Sequence, residues 1–336
     1  MKWNIYSKLW MIFFVLMGTA CTNQVEDAIP VSGQPIEFSV QSDWKEIPNT
    51  RSNDGKTYFK DSDSIQIFGF HNSSSPGGQK DQKFMYRVND RNRGQIVEYK
   101  EKDKNWIYSP KRFWPKEGTL DFYAGYPHYS VLNDEENHKM TYEQTVNPLQ
   151  LDLLWGVSNN HDCVKDRNKN VEITMKHALA KVNIKFDSSL GDIKQAKVSA
   201  YKAGNFDRTN TNGIPDWIVD TTSIQEATFS PYKEQTKIGD VTVFILPDKI
   251  TGLILTKVDG KTKIDVSAKI QKYTFEAGKV YNLTIKSTDA SADGKIKGRN
   301  QYFQSDGEQN NTNTRSIAMS VRCVSKERKN ILKMLG

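Results

Sequence analysis

Histidine and cysteine are both scarce in this sequence, with five of the first and three of the second in 336 residues. Three cysteines cannot build a disulfide scaffold, so any folded core must come from apolar side chains. Once Cys21 is set aside, Cys163 and Cys323 are the one remaining pair, and nothing in their spacing argues for a bond. No two of His71, His128, His138, His161 and His177 have the spacing of a zinc motif. His161-Asp162-Cys163 puts three ligand types side by side, but neighbours on a strand point to opposite faces, and a polar linker is the simpler reading. A Gly-x-Ser-x-Gly elbow, a phosphate-binding glycine loop and a His-Glu-x-x-His pair are all missing. Asp207 to Asp216 is rich in oxygen ligands without the spacing or closing Glu of an EF-hand loop, so it reads as an Asx-rich surface loop. The expectation is a non-enzyme with no catalytic residue, no metal site and no cofactor.

Long apolar runs are also lacking. Leu9 to Met17 (LWMIFFVLM) is the longest. It falls short of the ~20 residues a spanning helix needs, but it fits the apolar region of a secretory signal. Lys2 and Lys8 precede it, and Gly18-Thr19-Ala20 and then Cys21 follow. A small residue at the cut with cysteine just after it is what lipoprotein processing requires, although Gly18 stands where Leu is usual. Residues 1–20 are therefore read as a signal peptide and Cys21 as the lipidated first residue of the mature chain. Acylation at one residue with two chains gives the anchor that stable membrane attachment needs. Residues 21–35, polar with two prolines, read as a tether.

The formal charge of +7 says little about the folded body. Lys2 and Lys8 leave with the signal, and residues 287–336 carry a net of four positive charges, so the body between is close to neutral. A nucleic-acid groove is not supported.

What is present is alternation. Ile36, Phe38 and Val40 alternate with Glu37, Ser39 and Gln41, and Ile65, Ile67 and Gly69 with Gln66, Phe68 and Phe70. The same period of two runs through 120–125, 181–186, 263–270 and 281–286. It predicts half-buried strands of antiparallel sheets, one face packed and one wet. Turn signals such as Asn53-Asp54-Gly55, Asn212-Gly213 and Asp259-Gly260 separate them, and no long segment carries a helical stripe. The chain reads as all-β, most simply as sandwiches. A polar, strand-poor stretch near 158–171 predicts a boundary. It gives an N-terminal β-sandwich domain over 36–160, a C-terminal one over 171–286, and a flexible extension over 287–336 with a strand-like patch from Ile317 to Val324. Aromatics crowd Trp106 to Tyr129. Core packing is the simpler account of them, with a sugar-stacking platform as the alternative.

Several stretches resemble the fimbrillin-like (Mfa-like) family. Trp106-Ile107-Tyr108-Ser109-Pro110, then Phe113-Trp114-Pro115, then Leu120-Asp121-Phe122-Tyr123-Ala124-Gly125-Tyr126-Pro127 are similar to one family run. Leu151-Asp152-Leu153-Leu154-Trp155-Gly156 resembles the strand closing its first domain. Lys176-His177-Ala178-Leu179-Ala180-Lys181-Val182 resembles the strand opening its second. Phe275-Glu276-Ala277-Gly278-Lys279-Val280-Tyr281 resembles its late hairpin, and Thr50-Arg51 with Asp63-Ser64-Ile65 its start. The resemblance covers roughly residues 36–286. It implies two transthyretin-like antiparallel β-sandwich domains in tandem, in a lipid-anchored adhesive subunit of cell-surface fimbriae. Such subunits pair with other fimbrial subunits by strand exchange, stay on the outer membrane through the lipid on Cys21, and offer adhesion to a host or bacterial surface ligand. In relatives an Arg-specific protease removes the first strand, and Arg51 is the candidate here. Ser64 and Thr221 fit a short O-glycosylation pattern known from exported proteins of related anaerobes. The alternative is a stand-alone surface lipoprotein that binds glycans.

The lipid assignment is checked by Cys21→Ser. The variant is expected to lose the lipid mass at its N-terminus and to leave the detergent phase on partitioning. Retention of the whole population in the detergent phase would show that the anchor lies elsewhere.

Overall fold

The computed structural model of the chain describes residues 29, 31–42, 59–209 and 213–287, with the backbone of three short strands beyond them: Lys295–Lys297, Gln301–Tyr302 and Ser316–Ala318. It is nearly all strand, as the alternation predicts. The N-terminal half supplies β1 (Val31–Pro35), β2 (Phe38–Ser42), β3 (Ser64–Asn72), β4 (Gln82–Met85), β5 (Gln95–Lys100) and β6 (Asn105–Ile107). It continues with β7 (Phe113–Pro115), β8 (Thr119–Tyr126), β9 (Val131–Asp134), β10 (Lys139–Glu143), β11 (Leu154–Asp162) and β12 (Val171–His177). Its main sheet runs β2-β12-β11-β8-β3-β5-β6, with β4 also paired to β3. Every pairing in it is antiparallel except β2 with β12.

This sheet corrects the expectation of one packed and one wet face. In β3, Ile65 and Ile67 enter one core with Leu120, Phe122 and Ile173, while Phe68 and Phe70 enter a second core on the opposite face. All seven interior residues of β3 are buried. A strand covered on both faces needs apolar residues at nearly every position, and the sequence Ile-Gln-Ile-Phe-Gly-Phe does so apart from Gln66. That side chain is buried and turns its amide toward the Ser130 carbonyl and hydroxyl, both at 3.4 Å.

The stretch read as strand-poor is strand over its first five residues, Ser158 to Asp162, and turn over 163–170. β11 continues through Asp162, a turn covers the next residues, and β12 begins at Val171. β12 lies between β2 and β11, so it belongs to the first sheet. The polar composition that suggested a linker arises because the last residues of β11 are only half-buried. His161, Asp162 and Cys163 serve three separate ends. The His161 ring packs against Trp114 and Phe122, Asp162 accepts from the Val164 and Lys165 amides at 3.0 Å, and Cys163 is a free, buried thiol. Burial and nearby carboxylates push that thiol up to about 12.

From the C-terminal half come β13 (Ala180–Phe186), β14 (Ile193–Tyr201), β15 (Ala203–Asp207), β16 (Ile218–Val219), β17 (Ile224–Phe229), β18 (Val241–Ile245), β19 (Ile250–Lys257), β20 (Lys263–Asp265), one helical turn α1 (Ser267–Ile270) and β21 (Lys279–Ile285). Two four-stranded sheets, β18-β13-β21 with Gln301–Tyr302 and β17-β14-β19-β20, enclose a mostly aliphatic centre that includes Val182, Ile184, Val198, Leu253 and Leu283, with Phe275 and Tyr281 as its buried rings. The segment Lys176 to Val182, which resembles a single strand in sequence, is split. His177 ends β12, Ala178 and Leu179 turn, and Ala180 starts β13.

The halves share a sheet. β10 pairs antiparallel with β15 from Lys139↔Asp207 to Glu143↔Ala203, giving the order β16-β15-β10-β9 with two strands from each half. Beneath it lies the second face of the first sheet. Trp155 meets Phe206 edge-on at 5.0 Å, Phe206 meets Trp217 at 4.8 Å, and Trp217 Nε1 donates to the Ala178 carbonyl at 2.7 Å. Arg208 closes the end of this core. Its side chain is 1% exposed, lies 3.9 Å above the Phe70 ring, donates to Asp81, and stands 3.3 Å from Asp134. Burial pushes the Asp134 carboxyl up, opposed by Arg208 and Lys83.

Removing one member of a buried ionic group leaves the others uncompensated and typically costs about 3–5 kcal/mol. Because Asp81 is partly exposed, Arg208→Ala is expected near the lower end, about 3 kcal/mol. Urea unfolding followed by tryptophan fluorescence measures it. A loss below ~1 kcal/mol, within the range of exposed pairs, would show that the junction does not depend on this side chain.

Candidate functional site

The site lies at the β2 edge of the first sheet. The segment from β1 through β2 is held there by three kinds of contact. β1 pairs antiparallel with β7. The Ile36 amide donates to the Arg112 carbonyl at 2.9 Å, and the Val171 amide donates to the Glu37 carbonyl at 2.8 Å. β2 then runs parallel to β12, from Val171↔Phe38 to Met175↔Ser42.

Alternation decides which side chains go inward. Ile36, Phe38 and Val40 are 0%, 1% and 3% exposed and reach the same core as Trp114, Phe122 and Ile173. Phe38 meets the Phe122 ring edge-on at 5.4 Å and the Tyr108 ring at 5.8 Å. On the outer side, Glu37 pairs with Lys111 at 3.0 Å, and Gln41 donates to the Thr174 hydroxyl at 3.2 Å. At roughly 1.5–3 kcal/mol for each fully buried side chain, the three inward residues contribute several kcal/mol. That figure is an upper value, because a real unfolded chain already hides some of this surface.

Tyr108 marks the slot. Its hydroxyl donates to the Ile36 carbonyl at 2.7 Å, and burial pushes its pKa up to about 12. In sequence Tyr108 stands in an aromatic run with nothing to mark this contact, because a hydrogen bond over 72 residues leaves no local pattern. Most of that run is core. Trp106, Tyr108, Trp114, Phe122 and Tyr123 are buried, so they form no exposed platform for sugar rings. Phe113 and Tyr129 are the exposed members.

The remaining candidates are scattered. Cys21 and Arg51 lie outside the described residues. In sequence, Arg51 falls between β2 and β3, so a cut there separates β1 and β2 from the rest of the chain. Ser64 is the first residue of β3 and half-buried, with its hydroxyl 3.0 Å from His128 Nδ1. Thr221 is exposed in the turn between β16 and β17. Within the patch Ile317 to Val324, the described part belongs to strand Ser316–Ala318, whose backbone pairs antiparallel with Lys295–Lys297. Arg208 and Asp134 were missed altogether. Arg208 stood inside a stretch read as surface loop, and its burial depends on a tertiary fit.

A family model described as fimbrillin-like matches residues 50–300. Comparison with curated proteins gives no match. Among solved structures, a proposed cell adhesion protein from Bacteroides uniformis is similar at 18% identity and a TM-score of 0.46, over 75% of this chain and 93% of that one. The tip fimbrial protein Mfa3 from Porphyromonas gingivalis, with C-terminal truncation, aligns at 7% identity and a TM-score of 0.37, over 69% and 91%. A fimbrial assembly protein from Parabacteroides distasonis aligns at 12% identity and a TM-score of 0.36, over 80% and 96%.

Two substitutions test the slot. Phe38→Ala is expected to cost about 3–5 kcal/mol in urea unfolding, as for a buried core aromatic. Tyr108→Phe removes the short bond to the Ile36 carbonyl and the two longer ones, at 3.4 Å, with the Arg112 backbone, and is expected to cost about 1 kcal/mol or somewhat more. The phenol's folded pKa lies above its ordinary value of 10, so its contribution is complete below pH 10 and is lost as pH rises toward about 12. Wild type and Tyr108→Phe should therefore converge in stability across that interval. A constant gap through it would place the Tyr108 hydroxyl outside the slot.

Proposed function

The chain belongs to the fimbrillin-like family, and on that premise we propose that it is a subunit of cell-surface fimbriae that joins its neighbours by exchanging the segment 31–42, which carries β1 and β2. One observation carries this reading. The segment is an edge element, paired in parallel on one side, with its apolar face in the core, and it is joined in sequence to β3 through the stretch that contains Arg51.

The proposed sequence of events follows from chemistry. Lipid on Cys21 holds the exported chain at the outer membrane. Cleavage after Arg51 separates residues 21–51, with the lipid, from the body. The β12 edge then presents unpaired amides and carbonyls beside an exposed apolar groove, a state that another strand relieves through main-chain bonds and alternating side-chain pockets. The Ile317 to Val324 patch of a neighbouring subunit is the proposed donor.

In the same reading the chain is two transthyretin-like sandwiches in tandem, β2 to β12 and β13 to β21. The adhesive surface faces a host or bacterial ligand. Thr221, exposed on its turn, is the better presented of the two O-glycosylation candidates, because the Ser64 hydroxyl already sits against His128.

Arg51→Ala is the test. The variant is expected to remain at the membrane with Cys21 as its first residue and to be missing from purified filaments. N-terminal mass spectrometry and electron microscopy read the two outcomes. Mature filaments built from chains that still begin at lipidated Cys21 would end the cleavage reading.

A further inference from the structure

The C-terminal half carries a cleft of about 640 Å³ on the face of the β17-β14-β19-β20 sheet turned away from its aliphatic core. It is formed by an irregularity in the pairing of β14 with β19. Ser199 faces Gly252 and Ala200 faces Ile250, so Thr251 is an extra residue on β19. Such bulges bend a strand and re-aim the side chain they carry. Here the Thr251 hydroxyl is buried and has no hydrogen-bond partner among the described residues. An unsatisfied hydroxyl of this kind has a cost that a bound polar group can remove.

The walls supply several types of contact. Tyr201 offers a ring, and Ile224, 54% exposed, an apolar rim. Ser199 adds a hydroxyl, and Thr221 adds a second in chains that carry no glycan there. Gln271, just after α1, adds an amide that donates to the Thr251 carbonyl. Lys249 brings the one charge: no carboxylate lines the cleft, and its ammonium makes no hydrogen bond or ion pair within the described residues. The backbone beside it is constrained. Asp248 is held at φ 116°, a conformation rare for a non-glycine residue, by a two-way bridge with Phe275 in which the amides donate at 2.9 and 2.7 Å. Strain of this sort persists only where the surroundings enforce it, and it recurs at binding sites.

We propose that this cleft is a binding site for an acidic saccharide, a sugar ring bearing a carboxylate. The volume is that of a small-ligand site, and because the cleft is open to solvent it covers one face of a ring rather than enclosing it. The ring's C–H face lies against Tyr201 and Ile224, its hydroxyls meet Ser199, Thr251 and Gln271, and its carboxylate pairs with Lys249. A plain anion would leave the hydroxyl-rich wall unused, and a neutral sugar would leave Lys249 without a counter-charge. The site is separate from the β2 slot and does not depend on strand exchange.

Titration of the full mature chain, followed by ligand-observed and protein-observed NMR, decides the matter with three probes: methyl glucuronide, methyl glucoside and acetate. Methyl glucuronide is expected to bind saturably in the millimolar range, ~10-fold or more tighter than methyl glucoside, with acetate showing no saturation. Lys249→Gln is expected to erase the preference for the glucuronide. The substitution breaks no contact within the described residues, so the melting temperature serves as a control for folding. Thr251→Val, similar in shape, is expected to weaken both sugars. Absence of saturation by methyl glucuronide, equal binding of acetate, equal binding of the glucoside, or a preference that survives Lys249→Gln would each overturn the proposal.

Discussion

Main-chain hydrogen bonds between β10 and β15 join a strand from each half of the molecule, and most of the architecture depends on that pairing. With β15 in place, Phe206 and Trp217 lie against Trp155, and the second face of the first sheet is covered. Without it, Phe68, Phe70, Tyr123 and Trp155 would face water. Four large aromatic rings exposed together would be a strong drive toward aggregation. The first sheet therefore needs the C-terminal half to complete its burial. Arg208 reinforces the pairing from the end of β15, with a guanidinium over Phe70 and carboxylates at Asp81 and Asp134.

That arrangement bears on the β2 edge. A sheet held by packing on only one face would lose much of its support if β2 left, because Ile36, Phe38 and Val40 fill part of that face. Here β12, β11, β8 and β3 are connected by hydrogen bonds, and the last three are also clamped from the opposite face. In the proposed reading the edge strand is the part that exchanges, and the clamped strands keep the shape of the slot. Edge position, parallel pairing and an apolar inner face all belong to the same short segment, which is how strand-addition sites are built.

Legibility in the sequence followed the range of the interactions. Alternation gave the strands and the all-β class, because period two is a local property. The aromatic run from Trp106 to Tyr129 reads as core, and most of it is, Phe113 and Tyr129 excepted. The two-sided burial of β3 was also written in the chain, since Phe68 and Phe70 occupy the positions assigned to the wet face, but an alternating template hides a strand that is apolar on both sides. Composition misled at Ser158 to Asp162, where polar residues form the end of a strand. Arg208, Asp134, Tyr108 and the bulge at Thr251 left no local signal. Each acquires its role from a partner many residues away, through burial or register that only the folded chain defines.

The central claim is that the slot outlasts the strand that fills it. A protease site placed between β2 and β3 allows the folded chain to be nicked there, and an isotope-labelled peptide of residues 29–42 is then offered in excess to the nicked protein. Native mass spectrometry follows the exchange. The account predicts one-for-one replacement of the resident strand by the labelled peptide, with the rest of the chain folded throughout. Unfolding or aggregation of the nicked protein as the strand leaves, or a resident strand that never exchanges, would contradict it.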